Sequence, residues 1–184
     1  MITKILCAGS GGQGVLTVGN LLGNAAMLEN YYVTYLPAYG AAMRGGTANC
    51  TVCVSDNEIA SPVASSPDIL IAFNQPSVLK FINKLEPGDQ MIYNSSIIDT
   101  VPIRGDLEIY PVPGNDVALE VDNERSANMV IFGAFLKLTN LVKIDSVFES
   151  IDMLIGAKKK KLAATSKKVF QEGYDRFPFN KKDK

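Results

Sequence analysis

The chain has 184 residues, of which 47% are hydrophobic and 20% charged, the proportions of one globular domain with a core of its own. It contains no histidine, which excludes Ser-His-Asp and Cys-His nucleophile systems, histidine metal sites and the commonest general base. The formal charge of −1 conceals a polarity: residues 1–157 hold 8 Lys+Arg and 16 Asp+Glu, a net of −8, while residues 158–184 hold 10 and 3, a net of +7.

No apolar run approaches the roughly 18 residues of a membrane span. The opening MITKILCAGSGG lacks the layout of a secretory signal. Three cysteines do not make a disulfide framework. The expected compartment is a reducing cytoplasm, and neither a membrane nor a nucleic acid is expected as a partner.

In chain order, Ile2 to Ala8 is a short apolar run expected to form a strand buried on both faces. It feeds Gly9-Ser-Gly-Gly-Gln-Gly14, after which Val15, Val18, Leu22, Ala25 and Ala26 recur at helical spacing. YYVTYLP is a second strand ending at Pro37, Thr47 to Ser55 a third, and Asp68 to Phe73 a fourth. A helix is expected from about Pro76 to Leu85, with the proline in its first turn. Glu86-Pro-Gly-Asp89 is a turn, and QMIYN and LEIYPVP are two more strands. ERSANMVIFGAFLKLTN reads as an apolar-striped helix, and DSVFESIDMLI as a shorter one capped by Asp145 or Ser146. KKLAATSKKVFQEGYDRF reads as a final helix.

Strands alternating with helices predict a three-layer α/β/α fold with a mostly parallel sheet and a Rossmann-like strand–glycine loop–helix at its start. One domain over 1–184 is expected, with a basic C-terminal helix or extended arm from about residue 157.

The glycine loop matches G-x-G-x-x-G through Gly9, Gly11 and Gly14, in the required strand-to-helix context. Gly9 permits a tight turn, Gly11 lets backbone approach a ligand, and Gly14 lets helix pack on strand. Free N–H groups at the helix start suit an anion. The dinucleotide fingerprint is incomplete, because the second strand ends Thr34-Tyr-Leu-Pro37 without the acid that takes ribose hydroxyls. The loop also carries an extra Gly12 and a glutamine, Gln13. Dinucleotide binding, local anion contact and pure packing all remain open.

Cys50 and Cys53 have C-x-x-C spacing, but residues three apart on a strand point to opposite faces. With Cys7, also on a strand, they read as small buried hydrophobes rather than metal ligands. The acids read as solvated surface. Glu124 and Arg125 open a helix and are candidate interface residues, although a helix N-terminal turn also explains the acid.

Four blocks stand out in order: GSGGQG, YGAAMRGGTANCTVCVS, SPVASSPDILIAFNQPSVLKF and NERSANMVIFGAF. Together they resemble the gamma subunit of 2-oxoacid:ferredoxin oxidoreductases, most of all the 2-oxoglutarate type. The resemblance implies a multi-subunit enzyme that decarboxylates a 2-oxoacid on thiamine diphosphate and magnesium. Electrons pass through iron–sulfur clusters to ferredoxin, and an acyl-CoA is made. This chain lacks the Gly-Asp-Gly…Asn-type thiamine motif and the cluster cysteines, so those cofactors are expected on alpha, beta and ferredoxin-like delta partners. The chain itself is expected to be accessory and inactive alone, with no catalytic or metal-ligating residue, and able to self-associate when isolated.

The resemblance places ligand or interface residues at Gly9, Gly11, Gly12, Gln13, Gly14, Tyr39, Gly40, Arg44, Gly45, Gly46 and Asn49. Gly40, Gly45 and Gly46 let the backbone bend around Arg44, whose planar fork of donors suits a carboxylate or phosphate. That partner is a neighbouring subunit, coenzyme A, or the loop's own carbonyls. The rival functional readings are a stand-alone NAD(P)-dependent reductase and a nucleotide-binding regulator.

Overall fold

The computed structural model describes residues 1–40, 46–61, 66–121, 124–156 and 159–177. Six strands form one sheet: β1 (Ile2–Ser10), β2 (Tyr32–Tyr39), β3 (Thr47–Ser55), β4 (Ile69–Ala72), β5 (Gln90–Asn94) and β6 (Glu108–Val112). Their spatial order is β2-β3-β1-β4-β5-β6. β1, β4, β5 and β6 pair in parallel, whereas β3 runs antiparallel to both β1 and β2. The sheet is therefore mostly parallel, with β3 as its reversed strand.

Two helical layers cover it. On one face lie α1 (Val15–Leu28), α3 (Gly114–Val121), α4 (Ala127–Thr139), α5 (Ile144–Ile151) and α6 (Lys160–Arg176), around a core that includes Ile5, Cys7, Leu22, Ile71, Phe132, Phe135 and Phe170. The other face carries α2 (Gln75–Phe81) and a 3-10 turn (Ile82–Lys84), packed on Leu6, Ala8, Leu70, Ala72 and Met91. The chain leaves β1 toward one face and β4 toward the other, so the crossover direction reverses between these two adjacent strands. Open α/β sheets place their crevice at such a point. The central strands β1 and β4 are apolar on both faces because both faces are covered.

Several elements differ from the sequence expectation. β2 continues past Pro37 to Tyr39. The Gly40 N–H donates to Thr47 O at 2.7 Å, so even-numbered β2 residues turn their N–H toward β3. Pro37 thus directs its ring nitrogen to the free edge, where no ladder bond is lost. Helix α3 was not anticipated: Pro113-Gly114-Asn115 has turn composition, and the helix is held by burial of Val117 and Ala118. The expected helix from Pro76 closes as α2 plus its 3-10 turn, with Asn74 Oδ1 accepting from Ser77 N–H at 3.0 Å as N-cap.

The caps expected at Asp145 or Ser146 lie inside α5. Its N-cap is Lys143, in extended conformation, because the Lys143 N–H is anchored on Glu29 Oε1 at 2.6 Å. Asp145 then falls in the first turn, where the helix dipole favours it. A π turn, Asp152–Gly156, follows α5. Over residues 160–176 the basic segment is not an extended arm. Ala163, Ser166, Val169, Phe170 and Gly173 of α6 are buried, Gly173 lies against the α4 backbone, and Phe170 packs edge-on to Phe132 at 5.2 Å.

Candidate functional site

The carboxyl ends of β1, β4 and β5 open onto a crevice of about 500 Å³. Its lining comes from separate elements: Gly12 and Gln13 after β1, Phe73 after β4, Asn94 ending β5, Asn115 in α3, Arg125 in the 3-10 turn Glu124–Ser126, and Asn128 in α4. A second cavity of about 410 Å³ lies on the other side of the glycine loop, against Gly11, Gly14, Leu16 and Tyr39. Gly12 borders both.

The loop is braced through its glutamine. Gln13 Oε1 accepts from Ser10 N–H at 2.7 Å and from Asn74 Nδ2 at 3.2 Å, and Gln13 Nε2 donates to Phe73 O at 3.2 Å. One amide therefore ties the β1 loop to the end of β4, a bond set that needs both an acceptor and a donor. Asn74 Nδ2 also donates to Ser10 Oγ at 2.6 Å. The far wall is built likewise: Asn94 Nδ2 donates to Asn115 Oδ1 at 2.7 Å, and Asn94 Oδ1 accepts from Gly114 N–H at 3.1 Å.

The glycines divide by role. A Cβ on Gly9 would come within 2.7 Å of Gln13 Oε1 and of Val15 Cγ2, so Gly9 serves packing. Gly14 has φ +73° and faces the Asn128 amide at 2.4 Å from an ideal Cβ. Gly12 has φ +98° and nothing within 4 Å of that position, so its open side faces the cavities. Gly14 is the N-cap of α1, no side chain caps that helix, and its first turn carries no acid. The first N–H groups of α1 are thus presented with the positive end of the helix dipole.

The second sequence block meets the first here. Gly11 N–H donates to Gly46 O at 2.9 Å. Tyr39 reaches the smaller cavity, and beside it the Tyr35 hydroxyl donates to Leu16 O at 3.3 Å. Burial, then the neighbouring Cys50 and Tyr39, push the Tyr35 phenol up to about 12, so it remains a donor at neutral pH. Gly40 is required by Thr47, whose Oγ1 lies 2.8 Å from an ideal Cβ there. Asn49 pairs with Ala8 and Ala38 within the sheet and lines neither cavity. Arg44 and Gly45 lie outside the described residues.

Sequence reasoning did not single out Phe73, Asn94, Asn115 or Asn128. The available signal was an amide at the carboxyl end of an apolar strand, as in QMIYN.

The cysteines sit elsewhere. Cys50 joins the core on the α1 side, with Cys7 directly opposite it on β1, whereas Cys53 points to the other face. The hydrogen bond with Cys50 and deep burial push the Cys7 thiol well above its ordinary value. Among the described residues no cluster of three or more Cys, Asp or Glu side chains is placed to hold a metal ion. These residues do not fit an iron–sulfur cluster or a magnesium diphosphate. No helix among them is long and apolar enough to cross a membrane.

Comparison with known proteins places this geometry. The family model described as pyruvate ferredoxin/flavodoxin oxidoreductase matches residues 4–176. The 2-oxoglutarate synthase subunit KorC of Methanothermobacter thermautotrophicus is 32% identical over 181 residues, covering 92% of this chain and 96% of that protein. The ketoisovalerate oxidoreductase subunit VorA of Methanothermobacter marburgensis is 32% identical over 172 residues, covering 94% of this chain. The chain spans 36% of that relative's length. The 2-oxoglutarate:ferredoxin oxidoreductase of Magnetococcus marinus, solved with 2-oxoglutarate, coenzyme A and succinyl-CoA bound, superposes with a TM-score of 0.85 at 26% identity. That match covers 94% of this chain and 30% of the other. A keto/oxoacid ferredoxin oxidoreductase gamma subunit from Geobacter sulfurreducens shares the fold, with a TM-score of 0.81 at 24% identity over 95% and 97% of the two chains. This chain belongs to the pyruvate ferredoxin/flavodoxin oxidoreductase family, and its likeness is to the gamma subunit.

Proposed function

We propose that this chain is the accessory gamma subunit of a cytoplasmic 2-oxoacid:ferredoxin oxidoreductase that converts 2-oxoglutarate to its acyl-CoA. Thiamine diphosphate, magnesium and the iron–sulfur clusters belong to alpha, beta and ferredoxin-like delta partners. The observation that carries this reading is the composition of the crevice. Among the described residues its lining offers three asparagines, one glutamine, a phenyl ring and a guanidinium, and no carboxylate. Such a lining supports a role in binding and orienting a ligand. The 2-oxoglutarate assignment follows the KorC relative, which this chain matches almost end to end.

Coenzyme A is the ligand proposed for this end of the sheet. The uncapped start of α1 suits a phosphate, and Arg125 lines the adjoining crevice. Arg44, four residues after Gly40 in sequence and outside the described residues, is the second guanidinium proposed for coenzyme A or a partner carboxylate, with the loop's own carbonyls as the rival partner.

The test is anoxic affinity purification of the full-length chain with mass spectrometry of its companions, then 2-oxoglutarate oxidation with coenzyme A and a viologen acceptor. The expected result is activity in the assembly and none in the isolated chain. Turnover by the pure chain, or micromolar NADPH binding to it by calorimetry, overturns the reading in favour of a stand-alone reductase.

A further inference from the structure

Helix α6 carries its charge against its own dipole. Lys160 and Lys161 occupy the first turn, where no acid is present, and Glu172 and Asp175 lie toward the other end. Cations are disfavoured at a helix N-terminus and anions at a C-terminus. Lys159, Lys160, Lys161 and Lys168 are all exposed, and among the described residues their hydrogen bonds are made by the backbone, with no ion pair to an ammonium. The C-terminal acids are compensated locally: Glu172 by Arg176 at 2.8 Å, Asp175 by Gln171 at 2.9 Å. The lysines are left uncompensated, in mutual repulsion, on a chain whose other 157 residues are net acidic.

The surface around them is shaped. A cavity of about 400 Å³ separates the π turn from α6, floored by Gly156, Ala163 and Ala164 and edged by Lys160. Lys167 bridges Asp152 at 2.5 Å across it, with its ammonium 5.5 Å from the Phe148 ring centre, which fixes the π turn against the helix. Met153 and Leu154 of that turn are 56% and 45% exposed.

We propose that this face docks an acidic segment of a protein partner, whose carboxylates neutralise Lys159, Lys160, Lys161 and Lys168 while Met153 and Leu154 take its apolar side chains. Charge complementarity selects the occupant. Residues 159–170 contain lysines but no arginine, and their one aromatic ring, Phe170, is buried. The patch therefore has neither bidentate forks for phosphate nor stacking platforms for bases. A membrane surface is disfavoured because the apolar stripe of α6 is already spent on α4. The proposal deepens the subunit reading by naming how a partner is held. Its test uses this chain alone, so its failure leaves that reading standing.

The test titrates the full-length chain with a short poly-L-glutamate peptide, with duplex DNA of equal charge, and with phosphatidylserine vesicles. Polyglutamate is expected to bind most tightly, about tenfold more weakly at physiological than at low salt. The triple variant Lys160→Glu/Lys161→Glu/Lys168→Glu is expected to lose at least about tenfold in affinity. Its melting temperature should be equal or higher, because acids suit a helix N-terminus. The control Lys80→Glu/Lys84→Glu, on the opposite layer, is expected to keep wild-type affinity. No binding of polyglutamate by the wild type, an equal loss in the control, undiminished binding by the triple variant, or tighter binding to DNA or vesicles overturns the proposal.

Discussion

Gly133 of α4 and Gly173 of α6 meet where the two helix backbones touch. An ideal Cβ on Gly133 would lie 2.1 Å from Phe170 O, and one on Gly173 would lie 2.1 Å from Val130 O. Both obstacles are backbone atoms, which have no rotamer by which to yield.

Alanine at either position is expected to destabilise the chain. Helix propensity favours alanine over glycine by about 1 kcal/mol, but forcing the helices apart costs about 2–4 kcal/mol of packing. The clash wins. Thermal melts of Gly133→Ala and Gly173→Ala should fall by on the order of 10 °C. An unchanged or raised melting temperature would show that α6 is not held against α4 at this crossing.

Gln13 is expected to act on stability before it acts on any ligand. Gln13→Glu loses the donor to Phe73 O, and Gln13→Ala leaves Ser10 N–H without its acceptor and Asn74 Nδ2 with Ser10 Oγ alone. Each should cost about 1–3 kcal/mol in urea unfolding of the isolated chain. Unaltered midpoints in both variants would mean that this amide serves a bound group instead.

Gly12 and Gly14 separate conformation from packing. Both need positive φ, but Gly14 also abuts Asn128 and Gly12 abuts nothing. Gly12→Ala is expected to cost about 1 kcal/mol from backbone strain, and Gly14→Ala about twice that or more. In the assembled enzyme the order should reverse for coenzyme A, with Gly12→Ala raising its KM more at matched folding. Equal KM in the two variants would remove the open side of Gly12 from the ligand surface.

Alkaline pH should unfold the chain through groups whose protons the fold retains. The Cys7 thiol is raised by Cys50 and burial, and the Tyr35 and Tyr110 phenols are pushed up to about 12. For Tyr110 the cause is burial first, then its hydrogen bond to Glu108. Raised folded values mean that the native chain holds these protons more tightly than the unfolded one. Their stabilisation is intact below about pH 8.5, the ordinary thiol value, and is lost progressively as pH climbs toward about 12. Urea midpoints should be flat near neutrality and fall above about pH 9. Tyr35→Phe and Tyr110→Phe should flatten the fall above about pH 10, the ordinary phenol value. A wild-type midpoint constant through that range refutes the assignment.

What the sequence determined by itself was local. Thr47 to Ser55 is a strand in both readings, because its β-branched residues lie between turn residues. The strand–GSGGQG–helix start and the apolar helix of Ala127–Thr139 were legible for the same reason: their hydrophobic periodicity lies within one element. What tertiary structure decided was every relation between elements. Register set Cys7, not Cys53, opposite Cys50, through pairing across 43 positions of chain. Helix α3 forms on turn-like composition because α4 and α6 pack on it and bury Val117 and Ala118. The last helix docks through Gly173, which carries no hydropathy signal but admits the backbone of α4. The crevice likewise draws Phe73, Asn94, Asn115 and Asn128 from four places in the chain. No local pattern marks them as one site, because only the reversal of crossover direction between β1 and β4 brings them to the same end of the sheet.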